Sequence, residues 1–456
     1  MNMKRIKRLL FSAATLLTAC VVGSSQPQQT LAASCKEQKT NVGITITASG
    51  SYSNWDGVTN VSQFQDGNGE FCFAYDKGKS VYVVKTKNGV PQKEQICLKK
   101  KEQRFGAATC DADGYYYVVT GKSNAAGKNA IYLTKYDPKG KMIASTGDDG
   151  SSSLAYYYDS SFYTKTPFYA GNCDIAVNGD YVAVNYAREM YSGHQSNSLF
   201  VVNRNTMKTV KVNSYYNSHS FAQRVVPYGD CFLLASEGDC YDRAFTISLA
   251  DAETGSCSSD NSFDFWVEKG TFDRYDMNSL NNNFAHLGGI AAGKDQKAAL
   301  VATSAKSLSS KAKKENEQLF IQIFDPTKSL RSADAYVTVG KRSGLAGNNG
   351  DEKVTNYGVK WLTDYNNSYQ IKNPQVVVSP NGNYVILFER YKNQSYQGVC
   401  MIVLDGTGKK LGKSVLISKN AYLNPSEMPV YINGKVYWAG NHTKNGNIYV
   451  YSIAVK

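Results

Sequence analysis

The chain has 456 residues, enough to bury a large core, with 42% hydrophobic residues, 20% charged residues and a net charge of +13. Its 33 tyrosines and 38 glycines favour half-buried strands joined by tight turns, and no amphipathic stretch of helical length stands out beyond a short polar segment at 306–317. The positive charge gives simple solubility or suits an acidic partner such as a polyanionic glycan, while no Arg/Lys-rich run interleaved with aromatics marks a nucleic-acid interface.

Lys4, Arg5, Lys7 and Arg8 precede an apolar run at 9–23 that is too short to span a bilayer. This pattern predicts an export signal over 1–20, and removing it lowers the net charge to roughly +9. Leu17-Thr18-Ala19-Cys20 resembles a bacterial lipobox, which implies lipidation of Cys20; an ordinary cleavage near 33 is the alternative. Residues 21–40 read as a flexible tether, and 41–456 as one domain. The location expected is extracellular, either secreted or anchored through the lipid. Nine cysteines remain without Cys20, none in a Cys-x-x-Cys pair, and most fall at apolar strand positions, which predicts buried thiols.

From residue 61 onward a unit recurs seven times: an apolar strand (A), a Gly/Asn/Asp turn, and a Tyr/Val-rich strand (B). The copies begin with VSQFQDGNGEFCFAY (61–75) and FGAATCDADGYYYVV (105–119) and end with PVYINGKVYWAG (429–440). DGNG and DADG resemble pieces of calcium loops, but lack the later Glu and read as hairpin turns. A third strand (C), such as AIYLTKYDPKGK (130–141), and a weaker fourth (D) follow each pair. Four antiparallel strands repeated seven times resemble a seven-bladed β-propeller, an all-β fold. The last unit lacks its D strand, and the alternating stretch 42–50 is expected to supply it and close the ring.

In this fold the D-to-A and B-to-C loops share one face. Three long connections, 146–171, 257–284 and 340–372, are read as D-to-A insertions on that face. All four histidines fall there too: His194 and His442 in B-to-C loops, His219 and His286 in D-to-A connections. The densest polar stretch joins Arg188, Tyr191 and His194 to His219, Gln223 and Arg224, and then to Glu237, Asp239, Tyr241 and Arg243. Arg224, on an inner strand, needs a carboxylate, for which Asp239 and Glu237 are the candidates. Trp361 and other aromatics in the insertions suit stacking on sugar rings or packing of the loops.

Three functions fit. The first is a cell-surface propeller that binds an extracellular glycan or other polyanion through Arg188, Tyr191, Gln223, Glu237, Asp239, His286, Trp361 and His442. The second is a polysaccharide lyase that cleaves uronic-acid polymers by β-elimination. There His194 or His219 would move the proton, Tyr241 would protonate the leaving oxygen, and Arg224 or Arg243 would pair with the carboxylate. That set is similar in residue type to the one used by seven-bladed lyases of marine uronic polysaccharides. The third is a protein-interaction scaffold. No cofactor is implied; a divalent metal on two or three histidines is the one metal arrangement the residues suggest. No nucleophile elbow, zinc helix or phosphate loop is present.

Overall fold

Asp66 and Asp111 show how one turn chemistry builds the repeat. Asp66 Oδ1 accepts from the backbone N–H of Asn68 and Glu70, and Asp111 Oδ1 from those of Asp113 and Tyr115. Gly69 and Gly114 follow at φ +79° and +85°, a left-handed conformation that favours glycine. Both turns are thus hairpin turns held by an Asp side chain. The same device recurs at Asp137 and Asp405 in C-to-D turns.

The computed structural model describes residues 35–455, apart from 51–55, 126–128, 152–159, 213–214, 239–243, 259–261, 265–284, 307–314, 331 and 347–351. Among these residues seven antiparallel sheets carry the order A-B-C-D, blade three with a fifth strand, Thr164–Pro167, on the end of its B strand, and two two-stranded ribbons stand apart from them. The inner strands are Val61–Gln65, Arg104–Cys110, Cys173–Asn178, Ser220–Tyr228, His286–Ala292, Tyr369–Val378 and Val430–Ile432. Each abuts the next, and the last abuts the first, so the seven blades close into a ring. The hydrophobic core lies in layers between blades. Val182, Val184 and Tyr186 of blade three pack toward blade two, and Leu199, Val201 and Phe232 fill the gap between blades three and four.

The ring is closed by an N-terminal strand, as expected, but by a different one. Lys36–Lys39 pairs antiparallel with the last C strand, Ile448–Ala454. The stretch 42–50 contributes only Ala48–Ser49, in a two-residue ribbon with Val58–Thr59. The outer strand of a blade is largely solvated, so Lys-Glu-Gln-Lys serves there, and apolar alternation was a misleading guide to it. The closing strand therefore takes in the end of the stretch read as a tether.

One insertion is also placed differently. The hairpin Lys341–Ala346/Glu352–Tyr357 precedes the D strand of blade five, Lys360–Trp361, and so is a C-to-D insertion. The segment before it supplies no D strand, only a 3-10 turn at Ala333–Ala335 and a single bridge from Tyr336 to Phe324. This insertion leaves the outer edge of blade five: Val337 N–H before it donates to Ile323 O, and Leu362 N–H after it donates to Leu319 O. The polar segment 306–317 lies mostly outside the described residues. The eight described cysteines are unpaired, with Cys72, Cys110, Cys173 and Cys400 buried. No helix of the described residues is long and apolar enough to cross a membrane.

Candidate functional site

Blade three carries long B and C strands, Tyr181–Met190 and Gln195–Asn203. They meet in a tight turn: Met190 N–H donates to His194 O at 2.8 Å, and Gly193 sits at φ +85°. The first insertion straps this turn, since Ser192 and Tyr191 N–H donate to Ser161 O and Tyr163 O. His194 is thereby held at the exposed tip.

His219 precedes the inner strand of blade four. Its N–H donates to Gln195 O at 2.8 Å, and Ser218 bridges Ser196. Asn217 accepts and donates across the same seam, to Asn197 and to Ser236 Oγ at 3.1 Å. His219 adopts φ +51°, a strained left-handed conformation for a residue with a Cβ. The result is a contact between neighbouring blades: His194 Nδ1 lies 3.4 Å from His219 Nε2, with ring planes at 51°. Two ring nitrogens at this distance can be joined by one N–H, the ring that donates being set by the tautomers. Exposed Tyr191 and the edge-on pair Phe162–Tyr216 lie on the same strapped turn and the segment leading to His219.

Gly238, the last described residue of the blade-four B strand, pairs with Ser220, and a Cβ placed on it would lie 2.9 Å from His219 O. The loop carrying Asp239, Tyr241 and Arg243 therefore springs from beside His219; those three residues lie outside the described ones.

The other expected residues are placed apart. Arg188 is fully buried between blades two and three; its Nε donates to Ser196 Oγ and its Nη1 to Gly150 O and Thr164 Oγ1. Burial holds its guanidinium below the ordinary arginine range. Gln223 bonds Ser220 and Asn172 inside the core, and Glu237 Oε2 accepts from Leu287 N–H at 2.6 Å. Trp361 lies on the outer strand of blade five, edge-on to Phe320. His286 faces Glu317 at 3.6 Å, and His442 faces Glu37 at 3.5 Å while stacking on Tyr449. Two histidines thus converge and two are paired elsewhere with carboxylates. Among the described residues no group of three His, Cys, Asp or Glu side chains is placed to hold a metal.

Arg224 has a carboxylate partner, but it is Asp56 rather than Glu237 or Asp239. Its Nη1 lies 3.0 Å from Asp56 Oδ2, and the guanidinium also donates to Gly288 O, Gln223 O and Pro425 O. Asp56 accepts in turn from Ser426 Oγ. This plug separates two cavities. The larger, about 780 Å³, opens toward the A-to-B turns, away from the histidine pair. It contains Asp174 and Glu427, which burial pushes up to about 6 and about 8. The smaller, about 300 Å³, opens on the histidine face between blades five and six. Asp56, Glu317 and Lys372 escaped sequence reading because nothing local marks them: Asp56 lies 168 residues from Arg224 in the chain.

No protein-family model matches this sequence, and no curated protein matches it. Solved structures similar to it include a protein of unknown function from Dyadobacter fermentans, at 9% identity and a TM-score of 0.41 over 93% of this chain and 98% of that one. An ulvan lyase, a polysaccharide lyase, is similar at 11% identity and a TM-score of 0.49 over 91% and 96% of the two chains. The endo-arabinase of Bacteroides thetaiotaomicron is similar at 10% identity and a TM-score of 0.30 over 75% and 89%.

Proposed function

We propose that the D-to-A/B-to-C rim of this exported propeller holds an acidic extracellular polysaccharide and that His194 and His219 move the proton in its eliminative cleavage. The observation that carries this reading is the contact of two histidines from adjacent blades, one of them in a strained backbone conformation. In the reaction one imidazole takes the proton on the carbon next to the uronate carboxylate. The released electron pair forms a ring double bond as the glycosidic C–O bond breaks, and the departing oxygen is protonated. Atoms balance without a co-reactant. The second histidine fixes the tautomer of the first. Tyr241 and Arg243, on the loop that starts beside His219, are the proposed acid for the leaving oxygen and cation for the carboxylate. The net charge of +13 supports binding of the same polyanion without turnover as the second reading.

The test is incubation with a panel of uronic-acid polymers, following the ultraviolet absorbance of the unsaturated product. Turnover is expected, falling about a hundredfold or more in His219→Ala and in His194→Ala. No product across the panel would sink the enzymatic reading; selective hits on a glycan array would then support the binder.

A further inference from the structure

The smaller cavity has no role in that chemistry, yet it opens on the same rim. Its lining comes from three places. His286, Leu287, Gly288, Thr303 and Glu317 belong to blade five; Gln370, Lys372 and Asn373 to blade six; Asp56 and Arg224 form its floor. At about 300 Å³ it lies at the small end of ligand pockets, the size for a sugar residue rather than a larger ligand.

The charges in it are unevenly matched. Arg224 is neutralised by Asp56 and satisfied by three carbonyls. Glu317 accepts from Thr303 Oγ1 at 2.9 Å and faces His286, and burial raises its carboxyl toward the neutral form. Lys372 makes no salt bridge among the described residues: it is exposed, its charge acts on Glu317 and Glu389 only at longer range, and its ammonium lies 5.2 Å from the centroid of the Tyr391 ring. Gln370 stands two residues earlier on the same strand, hence on the same side, with no side-chain hydrogen bond among the described residues. A cation entering this cavity meets Lys372; a carboxylate meets an ammonium and an amide donor together.

We infer that this cavity is a subsite for one uronate residue, with the carboxylate held by Lys372 and Gln370 and the sugar hydroxyls facing His286 and Glu317. It rests on the glycan reading above and extends it. The two sites are neighbours along the rim. His219 immediately precedes the inner strand of blade four, and His286 opens that of blade five. Glu237, at the end of the blade-four B strand, ties the two together through Leu287 N–H. A polymer lying over the histidine pair and running around the axis reaches the cavity with a later residue, so the subsite would select chains with uronates at that spacing.

The experiment is calorimetric titration of the whole protein with D-glucuronate and with D-glucose, on the wild type, Lys372→Gln and Lys208→Gln, each checked for an unchanged melting curve. Glucuronate is expected to bind, glucose to bind about tenfold more weakly or worse, and Lys372→Gln to lose a similar factor. Lys208→Gln, which removes the same charge from the exposed outer strand of blade three, should bind glucuronate as the wild type does. Binding of glucuronate that survives in Lys372→Gln overturns the inference, as does no saturable binding, or an equal loss in Lys208→Gln. If polymers are not cleaved but Lys372-dependent binding is found, the subsite stands and the lyase reading falls. If polymers are cleaved with the same KM in Lys372→Gln, the reverse holds.

Discussion

Arg224 is the residue on which most of the axis depends. It joins blade four to Asp56 near the N-terminus, to blade five through Gly288 O and to the approach to blade seven through Pro425 O. Arg224→Met removes all four bonds and leaves Asp56 buried without its cation. The expected loss is about 3–5 kcal/mol, read by urea denaturation. A loss under about 1 kcal/mol would show that Asp56 finds other donors in place of the guanidinium. Three buried carboxyls, two of them beside this plug, make a second prediction. Burial pushes Glu427 up to about 8, with the nearby Asp174 charge adding to it, and burial pushes Asp174 to about 6 and Glu389 to about 7. The folded state therefore keeps these protons at pH values where the unfolded chain has released them. Their contribution to stability is complete below about pH 4, declines as pH rises through 6 and 7, and is gone above about pH 8. Melting temperature should fall between about pH 5 and pH 8, and Glu427→Gln should flatten part of that slope. A curve that rises over this range would contradict the assignment.

At the scale of elements, the hairpins and the inner strands were legible in the sequence because turn residues and strand periodicity coincide there. Asp66-Gly67-Asn68-Gly69 announces its turn in the letters themselves. The outer strands were not legible. Ser262–Asp264 and Lys360–Trp361 are too short to show a period, and Lys36–Lys39 is polar throughout. For that reason the pattern points to 42–50 as the closing strand and to a D-to-A loop for what is a hairpin set into the outer edge of blade five. The histidine pair was legible as two loops sharing a rim; the Asp56–Arg224 and His286–Glu317 pairs were not, because only folding brings their partners together. Deleting residues through Lys39 should open blade seven along Ile448–Ala454. The measurable outcome is a lower melting temperature and a tendency to associate through the freed edge, visible by size-exclusion chromatography. Gly171 tests the packing between blades: a Cβ there would lie 1.9 Å from Phe221 O, a backbone atom that cannot rotate away. Gly171→Ala should therefore lower the melting temperature even though it adds a single methyl group.

At the scale of the molecule, the net positive charge, +13 for the full sequence and roughly +9 without residues 1–20, is the property a polyanion meets first. Association with an acidic polymer should weaken as salt is raised, since a Debye length of about 10 Å at 0.1 M screens all but close contacts. Affinity indifferent to salt would transfer the weight of recognition from overall charge to the local groups of the rim. The closing strand also sets which way this rim looks. Lys36 lies opposite Ser452 and Lys39 opposite Tyr449, so the chain comes into blade seven from the side of the A-to-B turns. An attachment upstream, at Cys20 or elsewhere, would hold the ring from beneath, like a dish on a stalk. The paired histidines would then look away from the surface that carries them. So held, the rim would meet polymer arriving from its surroundings, with the anchoring surface behind it.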